Sequence, residues 1–114
     1  MSAKRRAAMP VVLARPAERD LDEIWDWNKK TYGVDHAFRY LDMLQGQIDA
    51  IGAAYSHGKV VESRPGLRYI RLGKRKSGHG HVAVYRIDVD YVNVVHVFHT
   101  AKDWQAKLAE EFPD

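Results

Sequence analysis

The sequence contains no cysteine in its 114 residues. This absence excludes disulfide bonds, catalysis by a thiolate and zinc sites built on cysteine. Long apolar runs are also absent, and none approaches the roughly 20 residues that span a membrane. The basic residues near the N-terminus are not followed by the apolar stretch of a secretion signal. We therefore expect a cytoplasmic protein.

A large excess of one charge is lacking too. The formal net charge is +3, from 18 Lys and Arg against 15 Asp and Glu. Residues 64–86 nevertheless contain no acidic residue, and their cations are Arg64, Arg68, Arg71, Lys74, Arg75, Lys76 and Arg86. Such a segment can attract an acidic partner or nucleic acid. A solvated surface is the alternative, and the more common, origin of a charge run.

What is present indicates one small globular domain. Hydrophobic residues make up 46% of the chain, which is too many for a disordered protein. We find no internal repeat, low-complexity segment or domain boundary. A domain of this size buries a modest core and often gains stability from a partner.

The first half of the chain predicts a strand and two helices. Residues 11–13 form a short apolar run, and Pro16 suits the first turn of a helix. Apolar residues then recur at helical spacing until Gly33, which favours a helix end. A second apolar stripe follows from Val34 to Tyr55 in steps of three and four. The short junction at Gly33 predicts an antiparallel helical hairpin.

The second half is dominated by strand patterns. Residues 56–66 are predicted to form a loop, and residues 74–80 an exposed basic turn. The predicted strands cover residues 67–72, 82–89 and 91–98, with a tight connection at Asp90. A short final helix is expected from Thr100 as N-cap, with Trp104 and Leu108 on one face. The order β-α-α-β-β-β-α predicts an α+β fold.

Four segments of the chain resemble motifs of one family, and the resemblance as a whole spans about Met9 to Leu108. The first has the pattern A-x-x-D-L-x-x-I followed by two tryptophans, and the third reads R-P-G-L-R. The segments are residues 17–24 with Trp25 and Trp27, Gly33 with Ala37 and Tyr40, residues 64–68, and residues 94–104. They are similar to segments of the ParE branch of the ParE/RelE toxin family, and their shared order makes the resemblance more specific than any one motif.

This resemblance implies a helical hairpin packed on a curved antiparallel sheet. The sheet would have four strands, made of the N-terminal strand and a three-stranded meander, with a short C-terminal helix. Family members usually begin near Met9 and Pro10. We therefore assign residues 10–114 to the toxin domain and residues 1–9 to an N-terminal extension, for which disorder is one interpretation. The loop at residues 74–81 is longer and more basic than the family's usual loop.

The resemblance also implies a function. The chain would be the toxin of a type II toxin–antitoxin module of the plasmid-stabilisation type. Its partner would be a ParD-like antitoxin of the ribbon-helix-helix DNA-binding type, whose C-terminal segment wraps the toxin and neutralises it. ParE members are implied to inhibit DNA gyrase by binding, without chemistry of their own, and we favour this interpretation.

Two alternatives stay open at this point. The RelE branch cleaves mRNA in the ribosome, which requires a base for the ribose 2′-OH and cations for the phosphate. Arg68 and Lys102 lie near that branch's basic positions, and His99 could act as the base. No tyrosine follows Tyr91, so the branch's C-terminal tyrosine has no counterpart. A degenerate member that only binds its antitoxin is the third interpretation.

Several residues are candidates for contact with the target or the antitoxin. Trp27 lies off the buried stripe of the first helix, whereas Trp25 lies on it. The full candidate set is Arg64, Arg68, Arg71, Arg86, Trp27 and Trp104. For His79, His81, His96 and His99 we favour surface and half-buried structural roles over a metal site. The glycine-rich loop lacks the spacing of a phosphate-binding loop, so we expect no cofactor.

Overall fold

The computed structural model describes residues 8–73 and 80–111. The helices are α1 (Arg15–Tyr32), α2 (Val34–Ala50) and α3 (Trp104–Glu111), and the strands are β1 (Val11–Leu13), β2 (Lys59–Val61), β3 (Arg64–Leu72), β4 (His81–Ile87) and β5 (Val92–His99). Residues 1–7 of the expected extension and most of the basic turn, with Lys74, Arg75, Lys76 and His79, lie outside the described residues. Met9, assigned to the extension, packs against the core and donates its backbone N–H to the Gly52 carbonyl at 2.9 Å.

Helices α1 and α2 pack together as a hairpin joined by the single residue Gly33. Pro16 stands in the first turn of α1, where a helix needs no backbone donor. Gly33 has φ of 94° and donates its backbone N–H to the Lys29 carbonyl, so it ends α1 in a conformation that glycine favours. The second helix is shorter than its apolar stripe, because two 3₁₀ turns carry Ile51 and Tyr55 into the core.

The sheet has five strands in the order β1-β5-β4-β3-β2 and is mixed. The predicted four-stranded antiparallel sheet is therefore wrong, although the β3-β4-β5 meander is antiparallel as expected. Strand β1 runs parallel to β5. The predicted loop at residues 56–66 contains β2, a three-residue edge strand too short to show a period-2 pattern. A bulge beside β2 accommodates Pro65, which cannot donate to a ladder.

Both faces of the sheet are covered. The larger core lies between the sheet and the α1–α2 hairpin, and includes Ala17, Leu44, Ile48, Tyr85, Val92 and Val94. A second core lies between the other face and α3, and includes Val61, Val82, Val84, Phe98, Trp104 and Leu108. The described part of the chain thus forms three layers, with α3 as the thin one. None of the described helices has the length and apolar character needed to cross a membrane.

The final helix begins later than expected. Thr100 is not its N-cap, because its hydroxyl accepts the Gly80 backbone N–H at 2.8 Å. Asp103 precedes the helix, and its Oδ1 accepts the Ala106 backbone N–H at 3.3 Å. Both side chains can cap a helix, and the contact between Gly80 and Thr100 decides which of them does so.

Candidate functional site

A cleft of about 670 Å³ opens between α1 and α2 beside the end of β1. Its apolar surface comes from Leu13, Leu21, Trp25, Phe38 and Leu41, and its polar lining from Glu18, Asp22, Asp42 and Gln45. Phe38 is 62% exposed, and its ring meets Trp25 edge to face with centroids 4.8 Å apart. An exposed aromatic ring beside an apolar cleft is typical of surfaces that bind another protein.

The cleft lies where the helical sequence pattern requires it. Leu21 and Trp25 are one turn apart on α1, and Phe38 and Leu41 are neighbours on α2. The two stripes converge on the sheet, which buries Leu21, but Trp25 and Leu41 are only half-buried and Phe38 stays exposed. The part left over forms a groove with an apolar floor, the geometry that accepts an amphipathic helix from a partner.

Arg68 lies in a structural network rather than at an open surface. It pairs in register with Tyr85 on β4, and its Nη1 donates to the Gly58 carbonyl at 2.8 Å. The Tyr85 hydroxyl donates to the Tyr55 carbonyl at 2.6 Å and accepts the Gly58 backbone N–H at 3.1 Å. Burial raises the pKa of Tyr85, although Gly58 and Arg68 oppose the shift. Arg68 therefore braces the segment that joins α2 to β2.

The other candidate arginines point to the opposite face of the sheet. Arg71 pairs with Val82 and Arg64 with Val61, and both valines belong to the α3 core. Arg86 pairs with Asn93 across β4 and β5, and its Nη2 lies 3.3 Å from Asp88 Oδ2. Paired residues share a face, so the four arginines do not form one patch.

The two candidate tryptophans have different environments. Trp27 is 58% exposed on α1, where its ring meets Tyr32 at 5.6 Å. Trp104 is only 8% exposed and packs against Tyr69 and Phe98 in the α3 core. The exposed ring of Trp27 is accessible to a partner, and its role in binding stays a prediction. Trp104 is a core residue instead, since its ring fills the space between α3 and the sheet.

The residues that would serve RelE-type chemistry are spread out. Arg68 and His99 pair with Tyr85 and His81, which are four residues apart on β4. At about 3.3 Å per residue this separation is on the order of 13 Å. His99 Nδ1 accepts the Ala101 backbone N–H at 3.0 Å, and Lys102 is exposed in the turn that follows β5. This arrangement does not bring Arg68 and His99 onto one scissile phosphate.

His81 lies in a buried aromatic pair with Tyr40. The Tyr40 hydroxyl lies 2.6 Å from His81 Nδ1, and the His81 and His99 rings meet at 5.0 Å. Burial, helped by the nearby His99, lowers the pKa of His81 to about 4. Burial also raises the pKa of Tyr40. Both side chains are therefore neutral at pH 7, and they hold α2 against β4.

His96 links three elements through two carboxylates, a role that the sequence did not reveal. Its Nδ1 lies 2.7 Å from Asp20 Oδ2 on α1, and its Nε2 lies 2.8 Å from Glu111 Oε1 on α3. Asp20 also accepts the Val97 backbone N–H at 2.8 Å. Val97 lies past the residues of β5 that pair with β1, so the side chain of Asp20 takes the place of a strand partner there. Burial alone would lower the pKa of His96, but the two carboxylates outweigh it and the net pKa is raised.

The histidines do not gather into a metal site within the part of the chain that the structure describes. No group of three or more His, Asp or Glu side chains there could hold a metal ion. His99 pairs with His81 and His96 pairs with Val84, so His96 and His99 lie on opposite faces as their spacing predicts.

Comparisons with known proteins show which proteins the chain is similar to. A family model for the ParE toxin of the type II toxin–antitoxin system parDE matches residues 11–104. The chain is 33% identical over 100 residues to toxin ParE1 of Caulobacter vibrioides, covering 87% of this chain and 97% of the relative. It is 35% identical over 99 residues to toxin ParE1 of Mycobacterium tuberculosis, covering 85% and 95%.

A solved structure has a similar fold. It is a chain described as the chromosomal ParDE TA system from P. aeruginosa, and it superposes with a TM-score of 0.67 at 20% sequence identity. The match covers 79% of this chain and 94% of that chain. At this identity the likeness concerns the fold alone.

Proposed function

Because the chain belongs to the ParE toxin family of type II toxin–antitoxin systems, we propose that it inhibits DNA gyrase by binding and that a cognate antitoxin neutralises it. The family assignment makes the chain a toxin. The proposal adds the target of this toxin and the class of antitoxin that neutralises it.

The cleft between α1 and α2 is the observation that carries the antitoxin part of the proposal. Its floor is apolar, it is about 670 Å³ in volume, and Phe38 at its edge is largely exposed. A helix from the antitoxin fills it with its apolar stripe. The antitoxin segment continues over the toxin, so the interface exceeds the roughly 1,600 Å² of a standard complex.

Inhibition by binding is supported by the arrangement of the candidate catalytic residues. Arg68 braces the Gly58 carbonyl, and the register places it on the order of 13 Å from His99. General acid–base catalysis needs both groups within hydrogen-bonding reach of one substrate. This separation supports a toxin that acts by occupying its target and not by cutting RNA.

Expression of the toxin alone tests the target. We expect growth arrest with filamentation and DNA-damage signalling, and purified gyrase should lose supercoiling activity when the toxin is added. Rapid loss of translation with mRNA cut at ribosomes would instead identify the RelE-type activity. Normal growth with intact antitoxin binding would identify a degenerate member.

Co-purification tests the partner. The reading frame beside the toxin gene should encode a small protein with a ribbon-helix-helix pattern, and the two proteins should elute as one complex. Elution of free toxin beside an intact candidate antitoxin would contradict the assignment of that partner.

A further inference from the structure

The α1–α2 cleft carries three carboxylates around its apolar floor. Glu18 and Asp22 lie one turn apart on α1, and Asp42 lines the same cleft from α2. All three side chains are exposed. None of the described Lys or Arg residues forms an ion pair with them. The free toxin thus presents an apolar surface bordered by three exposed carboxylates that form no ion pair with the described cations.

This border determines which helix the cleft accepts. A helix whose apolar stripe is flanked by Lys or Arg places those cations beside Glu18, Asp22 and Asp42. A helix flanked by acidic residues places like charges together, and such repulsion excludes wrong partners even where attraction adds little affinity. The spacing of Glu18 and Asp22 matches cations three or four residues apart on the incoming helix.

We propose that the carboxylates Glu18, Asp22 and Asp42 make the cleft selective for a cationic amphipathic helix of a protein partner. The proposal rests on the proposed function, because it specifies the chemistry of the antitoxin segment that the cleft receives. The selectivity for a partner would then depend on three exposed carboxylates of the helices. None of them belongs to the R-P-G-L-R segment or to the arginines of the sheet.

Two synthetic peptides of about 18 residues, long enough to form helix once docked, test the proposal directly. They share one leucine stripe, and the flanking positions carry lysine in one and glutamate in the other. Fluorescence anisotropy with the full toxin measures both affinities at low salt. We expect the lysine peptide to bind about tenfold more tightly, since each of three rim ion pairs contributes a few-fold. The preference should shrink at 1 M salt, where the screening length falls to about 3 Å.

A charge-matched pair of variants separates the cleft from net charge. Glu18→Lys with Asp22→Lys should abolish or reverse the preference. Glu23→Lys with Asp26→Lys changes the net charge equally at exposed positions of α1 outside the cleft, and should leave the preference unchanged. Circular dichroism checks that both variants stay folded.

The outcomes are distinct from those that test the proposed function. Equal affinity for the two peptides, no binding of either, or the same effect from both variant pairs would overturn the selectivity. None of these results bears on gyrase inhibition. Conversely, a toxin that leaves gyrase active refutes the proposed target and leaves the measured peptide preference intact.

Discussion

At the scale of single residues, two histidines have pKa values displaced in opposite directions. His81 is neutral in the fold because burial and His99 lower its pKa to about 4. His96 is favoured as a cation because Asp20 and Glu111 outweigh its burial and raise its pKa. The first holds α2 to the sheet, and the second holds α1 and α3 to β5.

These shifts predict a stability maximum near the ordinary histidine pKa of about 6.5. Below it, unfolded chains protonate at His81 before the native state does, so stability falls as the pH drops from 6.5 toward 4. Above it, native His96 retains a proton that the unfolded chain has lost, so stability falls until the pH passes the raised native pKa. Urea unfolding measured from pH 5 to 9 checks both sides of this maximum, the acid limb below pH 6.5 and the alkaline limb above it.

Single substitutions show which histidine causes the loss of stability on each limb. His96→Gln should flatten the alkaline limb and lower the free energy of unfolding by about 2 kcal/mol at pH 6, because charge-assisted hydrogen bonds are lost. His81→Phe should flatten the acid limb. An unchanged alkaline limb in His96→Gln would mean that His96 is not the group that titrates there.

Arg68 is the residue for which sequence and structure suggest different roles. Its bond to the Gly58 carbonyl predicts that Arg68→Ala lowers the free energy of unfolding by about 1–2 kcal/mol. In a domain of this size that loss corresponds to roughly 5–10 °C in melting temperature. Lys102→Ala, an exposed control, should change it little. A stable Arg68→Ala protein without toxicity would instead place Arg68 at the target interface.

At the scale of the elements, the hairpin depends on a glycine at one position only. Gly33 has φ of 94°, whereas Gly46 lies inside α2, and a Cβ added at either position would meet no atom within 4 Å. Gly33→Ala should therefore destabilise the protein by about 1 kcal/mol through backbone strain alone. Gly46→Ala should stabilise it by up to about 1 kcal/mol, because alanine favours the helix.

Thermal unfolding of the two variants side by side measures this difference. Because both substitutions add one methyl group in open space, packing contributes to neither. Two variants with the same melting temperature would show that the α1–α2 junction does not need the positive φ of Gly33.

At the scale of the whole molecule, the toxin is a three-layer domain with an unfilled groove on its outside. The groove predicts that antitoxin binding stabilises the fold by mass action, by about 2.7 kcal/mol at a free antitoxin concentration 100 times the Kd. Phe38→Ala should remove most of this stabilisation and leave the free toxin as stable as before, because Phe38 is 62% exposed. Melting curves with and without antitoxin measure both quantities.

The control for this prediction is Val89→Ala, which removes an apolar side chain that is 91% exposed on the β4–β5 turn, far along the chain from the groove. It should leave the antitoxin-induced shift in melting temperature intact. An equal loss of the shift in both variants would contradict a binding site at the α1–α2 cleft.

The amino-acid pattern by itself determined the helices, the β3-β4-β5 meander and the family. The stripe of α1 and α2, the role of Gly33 and the R-P-G-L-R segment depend on residues close together in sequence, so they can be read locally. The same reasoning separated exposed Trp27 from the apolar stripe.

Only the tertiary structure decided which residues meet. Strand β2 exists because its three residues pair with β3, and the direction of β1 is set by its pairing with β5, the last strand along the chain. The partners of Arg68, His81 and His96 lie 10 to 76 positions away along the chain, on other elements. Trp104 is buried because α3 folds back onto the sheet. Contacts of this kind depend on how separate elements pack, and no local spacing encodes that packing.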